Sequence, residues 1–168
     1  MLLKDLIKKG TATISTAYPE REAREMVFAY LAWASGIRRH THIVEPEYMI
    51  PEDVAVAAGQ AFERMASGEP LQYVTGQADF YGRTFRVNPY VLIPRPETEI
   101  LCREAVQRIA AMSGGGTSGT LKIADLCTGS GCIAWTVALE CPEAKVVAVD
   151  ISEGALQTAS SQEFSEEI

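Results

Sequence analysis

The chain has 168 residues, 47% of them hydrophobic, and a net charge of −7 spread without a long block of either sign. That balance predicts a packed core rather than disorder, and it argues against a general electrostatic grip on nucleic acid, which needs a basic face, while leaving room for a local basic patch. The length allows one ordinary domain or two small ones; no apolar run approaches the ~18 residues of a membrane span, and the opening MLLKDLIKKG is too broken by charge to be a signal peptide.

Residues 1–67 read as helices. Leu2, Leu3, Leu6 and Ile7 share one face of a first helix. Pro19 can open a second at its first turn, and apolar residues recur through Ala23, Met26, Val27, Tyr30, Leu31 and Trp33 until Gly36 stops it. A third starts at Pro51, Glu52 and Asp53 and ends at Gly68 and Pro70. His40 and His42 are expected at the surface of this helical region. After Pro70 the character changes. DFYGRTFRVNPYVLI alternates around Gly82 as a hairpin would, with Phe80, Phe85 and Val87 inward. PRPETEILCREAVQRIAAM predicts a helix led by Pro96, with Glu97 and Glu99 near its positive end, and SGGGTSGT a flexible connector. LKIADL then reads as a buried strand entering a glycine turn. A helix is expected from about Gly131 to Leu139, KVVAVD as a second buried strand, and a last helix capped by Ser152. Strand–helix–strand is the opening of a parallel α/β sheet with a right-handed crossover. Two parallel strands cannot cover both of their faces, so the sheet is expected to be incomplete, with exchange between two copies as one way to protect its edges.

The glycine turn carries the chemistry. Gly129-Ser-Gly131-Cys-Ile-Ala134 satisfies a loose G-x-G-x-x-[G/A] pattern, which by itself fits a turn built only for tight packing. No Gly-Lys-Ser/Thr follows, so it is not a P-loop. It follows a strand, precedes a helix, and is joined by Asp150 at the end of the next strand, placed to accept hydrogen bonds from ribose hydroxyls. Asp125, at the tip of the first strand, bears on the ligand's charge. Beside a pyrophosphate an extra carboxylate is repulsive, which opposes a nicotinamide-dependent oxidoreductase; beside the ammonium and sulfonium of S-adenosylmethionine it is favourable. A structural role for Asp125, satisfying loop amides, stays open. The four cysteines, Cys102, Cys127, Cys132 and Cys141, lack paired CxxC spacing and have no histidine near them, so no metal site is expected and reduced, mostly buried thiols in a cytoplasmic protein are.

GEPLQYVTGQADFYGRTFRVNPYVLIPRPETE, followed by DLCTGSGCIA and VVAVD, resembles the protein-(glutamine-N5) methyltransferases that modify peptide chain release factors. The resemblance spans residue 1 to about 160 and implies an α/β chain of three parts. These are an N-terminal helical substrate-recognition domain (1–75), a linking β-hairpin (76–95), and the first part of a class I, Rossmann-like methyltransferase domain (96–168). It implies S-adenosylmethionine as cofactor, held by Cys127, Thr128, Gly129, Ser130, Gly131 and Asp150 with Asp125 supporting the loop, and release factors as partners. The Ile93–Glu99 stretch resembles the segment bordering the family's active site, although it also fits a proline-stiffened connector.

The chain departs from the family pattern at two places. Cys127 stands where the family usually has a glycine, and a side chain there restricts the backbone and can crowd the ligand. The family's Asn-Pro-Pro-Tyr motif is not in this sequence, and Asn88-Pro89-Tyr90 is an echo lacking the second proline. A glutamine amide is a poor nucleophile because its nitrogen lone pair is delocalised, and the family's motif supplies the acceptors that orient it. No catalytic residue is therefore assigned, and the expectation is an inactive fragment, truncated before that motif. SSQEFSEEI also matches the family poorly. Two other readings remain: an exocyclic-amine methyltransferase of nucleic acid, which shares the tetrad, and a non-catalytic helical module that binds release factors.

Overall fold

A computed structural model of the chain describes residues 1–113 and 120–164. The connector expected at 113–120 lies, but for its two ends, outside the described residues, as do residues 165–168 of the acidic tail. The chain forms two units, Met1–Thr75 and Gly76–Ile168.

The first unit is helical: α1 (Leu3–Ile14), α2 (Glu20–Ser35), α3 (Thr41–Val44), α4 (Glu52–Ala66) and α5 (Leu71–Thr75). In α1 the buried positions are 3, 6, 7, 10, 11 and 14, the three-and-four spacing of a helix with one face inward. Gly36 takes a left-handed conformation (φ 66°) and its N–H donates to the Ala32 carbonyl, ending α2 as the sequence predicts. Gly10 lets α1 lie against α4, since a Cβ there would sit 2.5 Å from Cε2 of Phe62. Phe62 in turn meets Tyr30 edge-on, with ring centroids 5.7 Å apart. A strap after α3 pairs back on the start of the chain, Leu3 N–H donating to the Tyr48 carbonyl and Ile50 N–H to that of Met1.

One expectation for this unit needs correction, and two features were not foreseen. The short α3 and α5 were not foreseen; at four and five residues they hold too few repeats to show a helical period. Trp33 continues the apolar run of α2 yet is 47% exposed, its ring 5.5 Å from that of Tyr30. His42 is half-buried rather than at the surface, its ring 5.4 Å from that of Phe28.

The second unit begins with a hairpin, β1 (Gln77–Phe80) and β2 (Arg83–Arg86), in the register Phe80↔Arg83. Both loop residues have positive φ, Tyr81 at 52° and Gly82 at 74°, as a two-residue turn that matches strand twist requires. Phe80, Phe85 and Val87 are buried, as predicted. The helix expected at Pro96 begins at Thr98, as α6 (Thr98–Ser113), and Oε1 of Glu99 in its first turn accepts the Tyr81 N–H at 3.0 Å.

Next come β3 (Lys122–Leu126), α7 (Cys132–Glu140), β4 (Lys145–Val149) and α8 (Glu153–Ser160). β3 and β4 pair in parallel, with Asp125 opposite Ala148 and Leu126 opposite Val149. Ser152 caps α8, its Oγ accepting the Ala155 N–H. The two strands are not buried, contrary to the reading of their composition. Leu126 is 70%, Val147 50% and Val149 47% exposed. Ile123 and Val146 pack toward Ile109 of α6 and Val137 of α7, so the sheet is covered on one face while the other stays open. No described helix is long and apolar enough to cross a membrane.

Candidate functional site

The glycine turn leaves the end of β3 and enters α7 through three residues of positive φ: Cys127 (63°), Gly129 (56°) and Gly131 (81°). At Gly131 a Cβ would lie 2.9 Å from the Trp135 ring and 3.0 Å from Ala159 Cβ, so the glycine also permits close packing of α7 on α8. At Gly129 a Cβ would meet nothing within 4 Å, so that side of the turn is open.

Two carboxylates hold the turn. Asp125 Oδ2 accepts the Thr128 hydroxyl at 2.6 Å. Asp150 Oδ2 accepts the Gly129 N–H and Oδ1 the Ser152 N–H, both at 2.9 Å. The Ser152 and Gly129 amides hold the Asp150 carboxyl below the usual carboxylate range, so it is ionised at neutral pH. The Thr128 N–H donates to the Val149 carbonyl and the Gly131 N–H to that of Thr128, extending the strand pairing into the turn. Hydrogen bonds thus join Asp125, Thr128 and Gly131 in one set and Gly129 and Asp150 in another. Cys127 is exposed at the bend, and Ser130 is turned inward with 2% exposure. A ligand on the open side of the turn therefore meets Cys127 and Gly129 before it meets the Ser130 side chain.

Gln162 is the residue that sequence reasoning missed. Its Nε2 donates to the carbonyls of Ser130 and Arg86, both at 2.9 Å, and its Oε1 accepts the Arg86 N–H at 2.8 Å. The segment after α8 therefore ties the hairpin to the glycine turn, and Phe164 adds ring contacts with Phe85 and Trp135. No local pattern marks such a residue, because its three partners come from distant parts of the chain. Asn88 is also structural: its Nδ2 donates to Thr158 Oγ1 at 2.8 Å and its Oδ1 accepts the Tyr90 N–H at 3.0 Å. A separate cleft of about 210 Å³, lined by Trp135, Val146, Leu156 and neighbours, touches the turn only at Gly131 and includes neither carboxylate.

The cysteines differ sharply in environment. Burial pushes the Cys102 thiol up to about 11, and burial raises Cys132 and Cys141 as well. Cys127 alone is exposed, and it carries a Cβ in the left-handed region. Cys127→Gly is expected to stabilise the second unit by about 1 kcal/mol, the approximate cost of a side chain in that conformation. Urea denaturation reads this as a higher midpoint. Titration with an aromatic disulfide reagent under native conditions should find one fast thiol in the parent chain and none in the variant.

A parallel strand–glycine turn–helix–strand unit with a carboxylate closing the second strand, preceded by a helical unit, defines a two-part α/β chain whose glycine turn is the candidate site. Comparison with known proteins makes the assignment specific. Residues 5–76 match the family model described as the PrmC N-terminal domain. A release factor glutamine methyltransferase of Koribacter versatilis is 48% identical over 116 residues, covering 69% of this chain and 39% of that protein. Proteins of the same name from Neisseria gonorrhoeae (41% over 141 residues) and Bacillus subtilis (36% over 157) cover 84% and 94% of this chain. By sequence the chain belongs with the release factor glutamine methyltransferases. It spans 47% and 53% of the lengths of the last two relatives, about half.

Proposed function

We propose that these residues form the donor-binding part of a cytoplasmic methyltransferase. Its donor is S-adenosylmethionine, and its acceptor is the side-chain amide of the glutamine in the Gly-Gly-Gln motif of peptide chain release factors. In this reading residues 96–168 open a class I, Rossmann-like domain, 76–95 are the linking hairpin, and 1–75 meet the release factor. The relatives' names support the acceptor. The observation that carries the donor side is the ionised Asp150 carboxylate at the open glycine turn, each oxygen engaged by one backbone N–H.

The residues fit that donor. A carboxylate oxygen accepts about two hydrogen bonds, so each Asp150 oxygen keeps capacity for a ribose hydroxyl. Gly129 presents backbone without a side chain, which permits close approach. The Asp125 carboxylate, steadied by Thr128, adds negative charge suited to a cation and repulsive to a pyrophosphate. When bound, the donor supplies a methyl group on a positively charged sulfur. The acceptor amide would need hydrogen-bond acceptors to orient its NH2 group, and the Asn-Pro-Pro-Tyr tetrad that resemblance assigns to that task is not among these 168 residues.

Calorimetric titration tests the donor assignment. Saturable binding of S-adenosylmethionine with no binding of NADH is the expected outcome; NADH binding without S-adenosylmethionine binding would overturn it. These 168 residues alone are expected to transfer no labelled methyl to a release factor. A protein in which the tetrad accompanies them should methylate release factor and not DNA, which separates this reading from the exocyclic-amine alternative.

A further inference from the structure

The helical unit contains a second feature that the methyl-transfer reading leaves unused. A cavity of about 480 Å³ lies along α1, bounded by the start of α2 and by α3. Lys4, Lys8 and Thr11 line it from successive turns of α1, Ser15 from the residue that follows that helix, Arg24 from α2 and His42 from α3. Three polar atoms there are buried without any hydrogen-bond partner: Thr11 Oγ1, Ser15 Oγ and His42 Nδ1. Thr11 is itself only 9% exposed.

Unpartnered buried polar atoms are uncommon in folded proteins, and each asks for an explanation. A helical threonine or serine ordinarily satisfies its hydroxyl on the carbonyl one turn back. Ser35 and Thr75 do so here, donating to the Leu31 and Leu71 carbonyls. Thr11 and Ser15 do not, and both line the same cavity as His42. Charge points the same way: Lys4, Lys8 and Arg24 are three cations against one lining acid, Glu20. Lys4 also has an exposed partner, Glu47, at 3.5 Å, a pairing loose enough to yield to a competing anion. Arg24 sits over the Phe28 ring, 5.5 Å from its centroid, and the tilted His42 ring lies 5.4 Å from the same ring, so one aromatic neighbours two of the lining groups.

We propose that this cavity binds a tetrahedral oxyanion, a phosphate either free or carried as a small phosphomonoester. Two unpartnered hydroxyls and an imidazole nitrogen leave hydrogen-bonding capacity for several oxygens at once. A phosphate offers four oxygens, where a carboxylate offers two. The three cations supply the compensating charge, in the manner of exposed basic groups around other phosphates.

Calorimetry on the full chain at low ionic strength, with inorganic phosphate as probe, tests this. Saturable binding with a Kd of about 1 mM or tighter is expected, with sodium acetate at matched ionic strength at least tenfold weaker. Lys8→Gln and the near-isosteric Thr11→Val should each weaken phosphate binding at least fivefold. Lys9→Gln makes the same charge change on α1 outside this cavity and should leave binding within twofold. Circular dichroism and thermal midpoints confirm that each variant is folded, and a variant that fails this is replaced by Arg24→Gln. Comparing inorganic phosphate with glycerol phosphate identifies the source, tighter binding of the ester pointing to a phosphomonoester. The proposal is overturned by the absence of saturable binding, by equal binding of acetate, or by equal weakening in Lys9→Gln. None of these readouts uses the methyl donor, so its failure and that of the methyltransferase reading are distinguishable.

Discussion

Asp150→Asn is expected to weaken S-adenosylmethionine binding by roughly tenfold or more, the scale of losing a charge-assisted hydrogen-bonding partner. The substitution keeps shape and changes two things. It removes the negative charge, and it turns one oxygen that now accepts a backbone N–H into an NH2 group. Because Oδ1 serves Ser152 and Oδ2 serves Gly129, one of those amides must face a donor whichever way the new side chain is set. The turn therefore loosens while the ligand loses its acceptor. Calorimetry reads the affinity directly. Unchanged binding in a folded variant would mean that the donor, if it binds at all, binds elsewhere. The carboxylate also carries an acid-sensitivity with a definite sign. Its folded value lies below the ordinary 3.8, so its stabilising contribution is fully present above that value and is lost as pH falls through the lowered one. Acid unfolding followed by circular dichroism should accordingly be less steep below about pH 4 in Asp150→Asn than in the parent.

Gln162→Ala is expected to destabilise the second unit by about 2–3 kcal/mol. One alanine strands three backbone groups: the Arg86 N–H, the Arg86 carbonyl and the Ser130 carbonyl. Leaving a buried polar group unsatisfied costs about 1–3 kcal/mol. Ser130 is 2% exposed and bears that cost in full, while Arg86 is open enough for water to replace part of its loss. Gln162→Glu sharpens the test. It keeps an acceptor for the Arg86 N–H but sets a carboxylate oxygen against two carbonyls, so it should be at least as damaging as alanine. Urea denaturation midpoints compare the three proteins. Indistinguishable midpoints would show that the segment after α8 contributes nothing to the folded unit.

Much of the architecture was legible because it rests on local rules. Gly36 and Ser152 end and begin helices by backbone geometry that neighbouring residues dictate, and the alternation around Gly82 could form little other than a hairpin. The same holds for the turn's membership, since strand, glycines and following carboxylate are contiguous or one crossover apart. What escaped the sequence depends on partners far along the chain. The apolar composition of β3 and β4 tells that they suit a two-sided interior, whereas their exposure depends on what lies against them, and Val147 and Val149 face outward. Gln162 looked like part of a polar tail, yet it lies buried against Arg86 and Ser130. His42 looked like a surface residue, and only the placement of α3 against Phe28 gives it a half-buried ring.

The two pairings of strands close at very different ranges. The hairpin needs only Tyr81 and Gly82 between its partners, whereas β3 and β4 meet only after residues 127–144 have formed their crossover. Short loops close in microseconds or less, and longer separation slows assembly. During synthesis the hairpin can therefore zip as soon as Arg86 has emerged, with its register already fixed. The glycine turn gains Asp150 only afterwards, so the hydrogen bond that fixes Gly129 is among the last that a nascent chain acquires.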